Sequence, residues 1–587
     1  MLRLFFLHPL GPALILALGG LLIWLGSAMV RWLRSQGPAL AILRPAVGDR
    51  LPGLWAFVGL LTVAGALAAL VLLRAPPIQA NLRWTWQPLT VAGSALDWRL
   101  DGWNWLAALL LLLLTAVSLL LQDLAAPQQV GGQRTERTLW LAAAAVAFVF
   151  SANTVTLASC WVLLDGALAL RLRPGEGAEP AGRAWAMLSL TGVLLLGVLA
   201  LLGESGIRTM LASGAFTPLE LALLWVIALV RAGVYPLHFW LTGPGRFDAG
   251  VRVALHLVAP TTGLWLLARI HGVAGPEWLR RPEWAALGAL ALFGTALAAW
   301  TVNEESLRWR WIALNRASLV VMAAYVARES GPQALVWALV TFSLGSALLA
   351  VGQATAAHWG WRLPAGLAAL ALWGFPGTPG FLARAALVFP TDLATAIPLF
   401  VVVLAAETVF AAALWEAVQS KSPAQQASEA RSTDSAALTR QAMPGPRPGW
   451  ATLGRLTIAI ALVAAPILAW GIAPQQLASL ASLPASLTSP ALIWTLQHAR
   501  RSVWFGLLLS GLGGVALGIL RPRVFGQMRG WQQGIAAIVS LEWLYRAAAA
   551  GLALAGAGLQ YFAALGEGAG YLGWLALAGV ILWVLLR

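Results

Sequence analysis

Residues 230–245 read VRAGVYPLHFWLTGPG, and they follow LALLWVIAL at 221–229, a run apolar enough to lie inside a membrane. An arginine near the centre of a membrane helix costs about 2.5–3.5 kcal/mol even on the lenient insertion scale, and its guanidinium cannot shed its charge. Arg231 therefore needs compensation. Pro236, five residues later, removes a backbone donor and is expected to disrupt the helix beside the charge. Broken helices at membrane depth persist only where protein or a watery cavity surrounds them. The same punctuation recurs in LALWGFPGTPGFLARAALVF at 370–389, where Pro376, Gly377, Pro379 and Gly380 interrupt an apolar span and Arg384 follows. Two interrupted helices, each with one arginine, point to the related halves of a transporter whose ion path runs near the breaks.

Composition supports the membrane reading. Of 587 residues, 60% are hydrophobic and 10% charged, with a mean hydropathy of +0.78, whereas a soluble domain carries roughly 25% charge. Apolar windows of the length needed to cross a bilayer, about 20 residues, recur about sixteen times. They begin near 10, 53, 103, 137, 154, 185, 217, 250, 284, 308, 332, 363, 395, 453, 502 and 533, with a further candidate near 569. The first is long for a signal-peptide core and is followed by Arg31 and Arg34, so it reads as a retained helix. The expected fold is all-α and polytopic, with related halves that contain the broken helices. Residues 1–125 supply N-terminal helices, 126–418 a core, 419–449 a polar linker rich in Ser, Ala, Gln and Pro, and 450–587 C-terminal helices. The Pro-punctuated IAPQQLASLASLPASLTSP, within the last of these, is not read as a spanning helix.

The net charge of +15 is scattered singly through loops and forms no basic stripe with interleaved aromatics, which argues against nucleic acid. Alternate loops divide the cations unevenly: Arg31, Arg134, Arg252, Arg308, Arg362, Lys421 and Arg521 fall on the richer side, read as cytoplasmic, with the N-terminus outward. This describes a multi-pass protein of the cell inner (plasma) membrane. Many of the 32 tryptophans fall near span ends, as interfacial belts require. Cys160 is alone, and no CxxC, HExxH or GxxxxGK[ST] pattern offers a metal or phosphate site, so no cofactor is expected.

Four stretches resemble, in order, elements of one family. RAGVYPLHFWL followed by VALHLVAPTTGLWLLAR is similar to a segment in which a lysine precedes a Pro-Leu-His-x-Trp-Leu element and then a helix carries a histidine. GFPGTPGFLAR resembles the family's Gly-x-Pro-x-x-x-Gly-Phe-x-x-Lys element, LDWRLDGWNWLAALLLLL the start of its third helix, and NEESLRWRWIALNRASLVVMAAY the segment before its tenth. The family is the antiporter-like, proton-translocating membrane subunits of respiratory complex I (NADH-quinone oxidoreductase), shared with Mrp-type antiporters and membrane-bound hydrogenases. The resemblance covers about residues 90–415. It implies two inverted five-helix repeats, here near 137–270 and 284–415, a half-membrane proton route in each, sister membrane subunits as partners, and protons or Na+ as cargo.

The departures carry as much information as the matches. The family route relies on lysines, yet the only lysine here is Lys421, in the polar segment. Arg231 and Arg384 stand at the two breaks, positions near Thr261 and Ser346 match the eighth and eleventh helices, and Val162 replaces the glutamate of the fifth. Asp165, three residues on, is the nearest acid and is expected to share nearly the same helix face and to meet Arg231. Carbonyls freed by Pro236, with water, would take the remaining guanidinium donors; the alternative is an arginine snorkelling to an interface.

Arginine stays charged where a buried lysine could become neutral, so Arg231 cannot itself relay a proton. His238 and His256 are the titratable candidates, with structural histidines as the alternative. Glu407 is the remaining acid of interest within a span, Arg316 is a further intramembrane charge, and Glu542 with Arg546 reads as a local i,i+4 salt bridge. The function expected is an altered proton or cation pathway inside a larger assembly, with no chemistry of its own beyond a share in a redox-driven oxidoreductase. A non-conducting scaffold paralogue is the rival within the family. A polytopic enzyme such as a lipid-linked glycosyltransferase is the rival outside it, although Asp392 is a lone loop acid.

Overall fold

A computed structural model describes residues 7–35, 51–74, 81–85, 95–122, 124, 131–172, 178–206, 211, 214–241, 248–274, 278, 281–330, 332–387, 393–419, 449–481, 491–527, 529–566 and 571–585. Most of the polar 419–449 segment, together with Asp392 and Lys421, lies outside the described residues. The chain forms two units, 1–527 and 528–587.

In the first unit the helices are α1 (Gly11–Ser35), α2 (Leu51–Leu72), α3 (Gly102–Leu121), α4 (Gly131–Val149), α5 (Thr154–Arg171), α6 (Ala178–Gly206), α7 (Pro218–Ala232), α8 (Ala249–Val273), α9 (Pro282–Thr301) and α10 (Glu305–Ser330). There follow α11 (Gln333–Trp359), α12 (Leu363–Trp373), α13 (Pro379–Ala386), α14 (Leu393–Gln419), α15 (Trp450–Ile472), α16 (Pro474–Ala481), α17 (Leu492–His498) and α18 (Arg501–Gln527). One π turn interrupts α8 at Ala254–Val258 and another interrupts α11 at Thr341–Gly345. Among the described residues ten helices are long and apolar enough to cross a membrane, or eleven if one bent pair is counted as a single span. The sequence count of about sixteen was larger because it admitted short or interrupted segments such as α7 and α12, which stop at 15 and 11 residues.

Burial follows the pattern of each helix. A helix apolar on every side belongs in an interior, and α3, with its run Leu109–Leu114, is enclosed by protein over nearly its whole length. The same holds for α8 and α11. Around this trio α15 packs on α3 and α11, α7 on α8, α12 and α13 on α11, and α9, α10 and α14 on one another. Helix α18 is as apolar but little buried, presenting Leu508, Leu512 and Ile519 outward, as a lipid-facing helix would.

The all-α expectation needs one addition. Strands β1 (Asn81–Trp84) and β2 (Leu96–Arg99) pair antiparallel, Leu82 opposite Trp98. In β2 the burial alternates, with Leu96 and Trp98 inward, a period of two that fits a strand. Its ends tie to the α4–α5 turn, where Arg99 N–H donates to Phe150 O at 2.9 Å and Ala152 N–H to Asp97 O at 2.9 Å. The hairpin thereby fixes the start of α5, whose N-cap Asn153 also donates to Ala95 O at 2.8 Å.

In the second unit the span expected from 533 is two helices, α19 (Arg529–Val539) and α20 (Glu542–Gly566), bent by 45° where Leu541 adopts φ 56. A short amphipathic helix and a longer one replace the single span, because the backbone leaves the helix at Ser540 and Leu541. Helix α21 (Tyr571–Leu585) follows. Glu542 Oε1 lies 3.7 Å from Arg546 Nε, an exposed arginine against a half-buried glutamate, in the i,i+4 contact expected from their spacing.

Candidate functional site: two buried ion-pair clusters at two helix breaks

Helix α7 begins with a capping box between Thr217 and Glu220 and with Pro218 at its first turn. It ends at Ala232 because Gly233 takes the left-handed conformation, φ 64, which costs a glycine little. The stop is thus set by Gly233, one turn before Pro236, and this corrects the role given to the proline. The carbonyls left over at the helix end are also taken: Val230 O accepts from Gly233 N–H at 3.0 Å and from the Trp240 indole at 2.7 Å, and Leu229 O accepts from Val234 N–H at 3.1 Å. They do not serve Arg231.

Arg231 is fully buried, which excludes snorkelling. Its Nη2 donates to Asp165 Oδ1 at 2.5 Å, and its Cζ lies 3.8 Å from the centroid of Trp161. Trp161 and Asp165 are one turn apart on α5, so a single face supplies both a π surface and a carboxylate. Val162 does not share that face; it is 71% exposed on the outer side of the helix. Three residues along a helix is a rotation of about 60° from alignment, enough to separate an outward valine from an inward aspartate. Arg231 Nε and Nη1 have no hydrogen-bond partner among the described residues.

The second break has the same construction. Helix α12 stops at Gly374, φ 96, and α13 starts with Pro379 at its first turn, so Pro379 begins a helix and Pro376 lies in the turn between. Glycine at 380 lets the turn close: a Cβ there would collide with Ala371 O and crowd Gly374. From α13, Arg384 Nη2 reaches Glu407 Oε2 of α14. The other carboxylate oxygen, Oε1, accepts from Arg316 Nη2 of α10 at 2.7 Å. Arg316 also donates to Leu372 O at 3.0 Å and to Asn315 Oδ1, and stacks 3.8 Å over Phe410. Glu407 is therefore mid-helix and doubly paired, and sequence spacing could not join it to partners 91 and 23 residues away. Arg384 Nη1 further donates to Ser510 Oγ of α18 at 3.5 Å.

The histidines belong to the break next to Arg231. His238 is fully buried, stacked on Tyr235 at 5.1 Å between centroids and tilted against Trp311 at 4.7 Å. His256 sits in the π turn of α8 with Nδ1 3.0 Å from Arg252 O and Nε2 2.8 Å from Leu241 O. A neutral imidazole can donate to one of these carbonyls and an imidazolium to both. Thr261, beside it, donates to Leu257 O at 2.7 Å.

A third cluster escaped sequence reading. Asp101 caps α3 by accepting from Asn104 N–H at 2.9 Å and pairs with Arg269 of α8. Asn104 Oδ1 accepts from Arg269 at 2.8 Å and from Trp265 Nε1 at 3.0 Å. The signal was an acid in the N-cap position of α3 and a cation ending an apolar helix. Asp165, Arg231, His238 and His256 thus gather by the first break, and Arg384 and Glu407 by the second. No group of three or more His, Cys, Asp or Glu side chains able to hold a metal occurs among the described residues.

No protein-family model matches the sequence, and no curated protein matches it. The fold does match solved structures. A chain of the Mrp complex from Dietzia sp. DQ12-45-1b superposes with a TM-score of 0.71 at 17% identity, over 93% of this chain and 62% of that one. This chain therefore spans less than two thirds of that relative's length. A chain of respiratory complex I from Thermus thermophilus, solved with bound aureothin, superposes with a TM-score of 0.54 at 20% identity, over 78% of this chain and 98% of that one. The chain accordingly shares its fold with these chains of an Mrp complex and of respiratory complex I.

Proposed function

We propose that this chain is a membrane subunit of a complex I-like or Mrp-like assembly in the cell inner membrane, where it contributes an altered proton or Na+ pathway alongside sister subunits. The observation that carries the reading is the repetition of one design: at each of two helix breaks an arginine, fully buried at 231 and largely covered at 384, meets an acid from a neighbouring helix. Buried ionisable groups in membrane helices are costly and mark ion routes by default. Along α11, between the two breaks in sequence, Ser346 Oγ and both amide atoms of Gln353 are buried with no hydrogen-bond partner among the described residues. Seven residues apart, they share one helix face, and polar groups left this way are sites for ordered water. Protons would move between acids, histidines and such waters while the arginines hold fixed positive charge.

The specific observation favouring a non-conducting scaffold is that both breaks carry arginine, which keeps its charge. One experiment separates the two readings. The assembly, purified whole and reconstituted in vesicles with an internal pH dye, is assayed with Glu407→Gln and Asp165→Asn. A pathway role predicts a severalfold loss of proton or Na+-driven flux in variants that still assemble. Unchanged flux in both would leave the scaffold.

A further inference from the structure

Between α12, α14 and α18 runs a groove of about 740 Å³, lined by Gly366, Leu370, Trp415, Gln419, Leu512 and Ile519 among other, apolar residues. Its length along α18, from Leu507 to Ile519, is about 18 Å at the helical rise per residue, more than half of a hydrocarbon core about 30 Å thick. The groove is thus about one leaflet deep. One end is polar: Arg362 Nη1 donates to Gln419 Oε1 at 3.3 Å, and Arg521 pairs with Glu416 at 3.2 Å. The other end is closed by Trp373, whose indole N–H is turned away to Ser510 Oγ at 3.2 Å. Gln419 is the one residue lining the groove with an amide or charged side chain, so the interior offers a ligand almost nothing but apolar contact.

We propose that this groove holds an acyl chain of an anionic membrane phospholipid, with the phosphate on Arg362. Depth, apolar wall and a single basic mouth are what such a lipid requires. Among the described residues no carboxylate pairs with Arg362, so its guanidinium keeps donors for a phosphate. Alternate loops place Arg362 and Arg521 on the cation-rich side of the chain, where anionic headgroups are concentrated and basic pockets between helices collect them. The site stands independently of any transport role.

The full chain, stripped of lipid in detergent, is incubated with mixed micelles of palmitoyl-oleoyl phosphatidylglycerol and the matching phosphatidylcholine, and retained lipid is read by native mass spectrometry. The wild type retains phosphatidylglycerol over phosphatidylcholine by about fivefold, the attraction of one basic residue to an anionic surface. Arg362→Gln abolishes that preference and Arg362→Lys keeps it. Gly366→Phe, at a position where a Cβ meets nothing within 4 Å, fills the groove and removes both lipids. Equal retention of the two lipids by the wild type, as a sister helix or a nonspecific detergent-like occupant would give, overturns the proposal. So does unchanged phosphatidylglycerol retention in Arg362→Gln. If Gly366→Phe fails to fold, judged by size exclusion and melting, the Arg362 pair of variants decides alone.

Discussion

Asp165 and Arg231 were legible as partners from sequence, because a permanent charge in an apolar run demands an acid and Asp165 is the acid nearest to Val162, where the resembled family carries a glutamate. What the sequence hid was Trp161. An aromatic one turn before the acid completes the site, but tryptophan is so common in this chain that its position carried no signal. The face was also misjudged, since the acid matching the family position would have pointed outward with Val162. Removing one member of a buried pair strands the other at a cost of about 3–5 kcal/mol, whereas replacing both with apolar groups can be neutral. Asp165→Ala alone should therefore sharply lower the melting temperature of the purified protein, and Asp165→Ala/Arg231→Leu should recover most of it; a double variant no better than the single would refute a compensating pair. Trp161→Leu keeps the carboxylate but removes the π face, and should cost about 2 kcal/mol in the same melt, the value of a desolvated cation–π contact.

At the scale of elements, the breaks were read from proline and built by glycine. Proline is the louder letter, yet Gly233 and Gly374 supply the left-handed residue that ends each first half, and Pro379 starts a helix. Gly374→Ala is expected to destabilise by about 1–3 kcal/mol, since φ 96 is strained for alanine and its Cβ would press on Arg384 Cδ at 2.8 Å; an unchanged melt would show that the break tolerates another conformation. Neither the π turns nor the hairpin left a readable trace, because residues 81–99 lack a long alternating run and their partner is the distant α4–α5 turn. The hairpin has its own pH signature. Burial raises the Asp97 carboxyl above its ordinary range, against the opposing pull of Arg83 and Arg99. The folded state therefore holds that proton more tightly than the unfolded chain, so stability from this group is greatest at acid pH and declines as pH rises through the raised value. Hydrogen exchange of the hairpin amides between pH 4 and 7 should show the decline in the wild type and not in Asp97→Asn.

Across the whole molecule the helix starts were legible from hydropathy, and the joining of distant charges was not. Contacts such as Arg316 to Glu407 or Arg455 to the Leu119 carbonyl bridge 91 and 336 residues, distances at which periodicity says nothing. The ion pairs give the two breaks different charge balances. The first cluster, Asp165 with Arg231, is neutral; the second, Glu407 between Arg316 and Arg384, carries one surplus positive charge. Loss of Arg384 should then be the mildest change in the second cluster, because it leaves the Arg316–Glu407 pair intact and neutral, with both carboxylate oxygens still inside the bundle. Loss of Glu407 should be the most damaging, because two guanidiniums would face each other without the acid that links α10, α13 and α14. With breaking a buried pair costing about 3–5 kcal/mol, Glu407→Gln should unfold or disassemble well below the wild-type temperature, while Arg384→Gln should melt near it. Adding Arg384→Gln to Glu407→Gln should then restore part of the loss by removing the like-charge contact. A Glu407→Gln protein as stable as Arg384→Gln would mean that water or a sister subunit, and not the carboxylate, neutralises the second break.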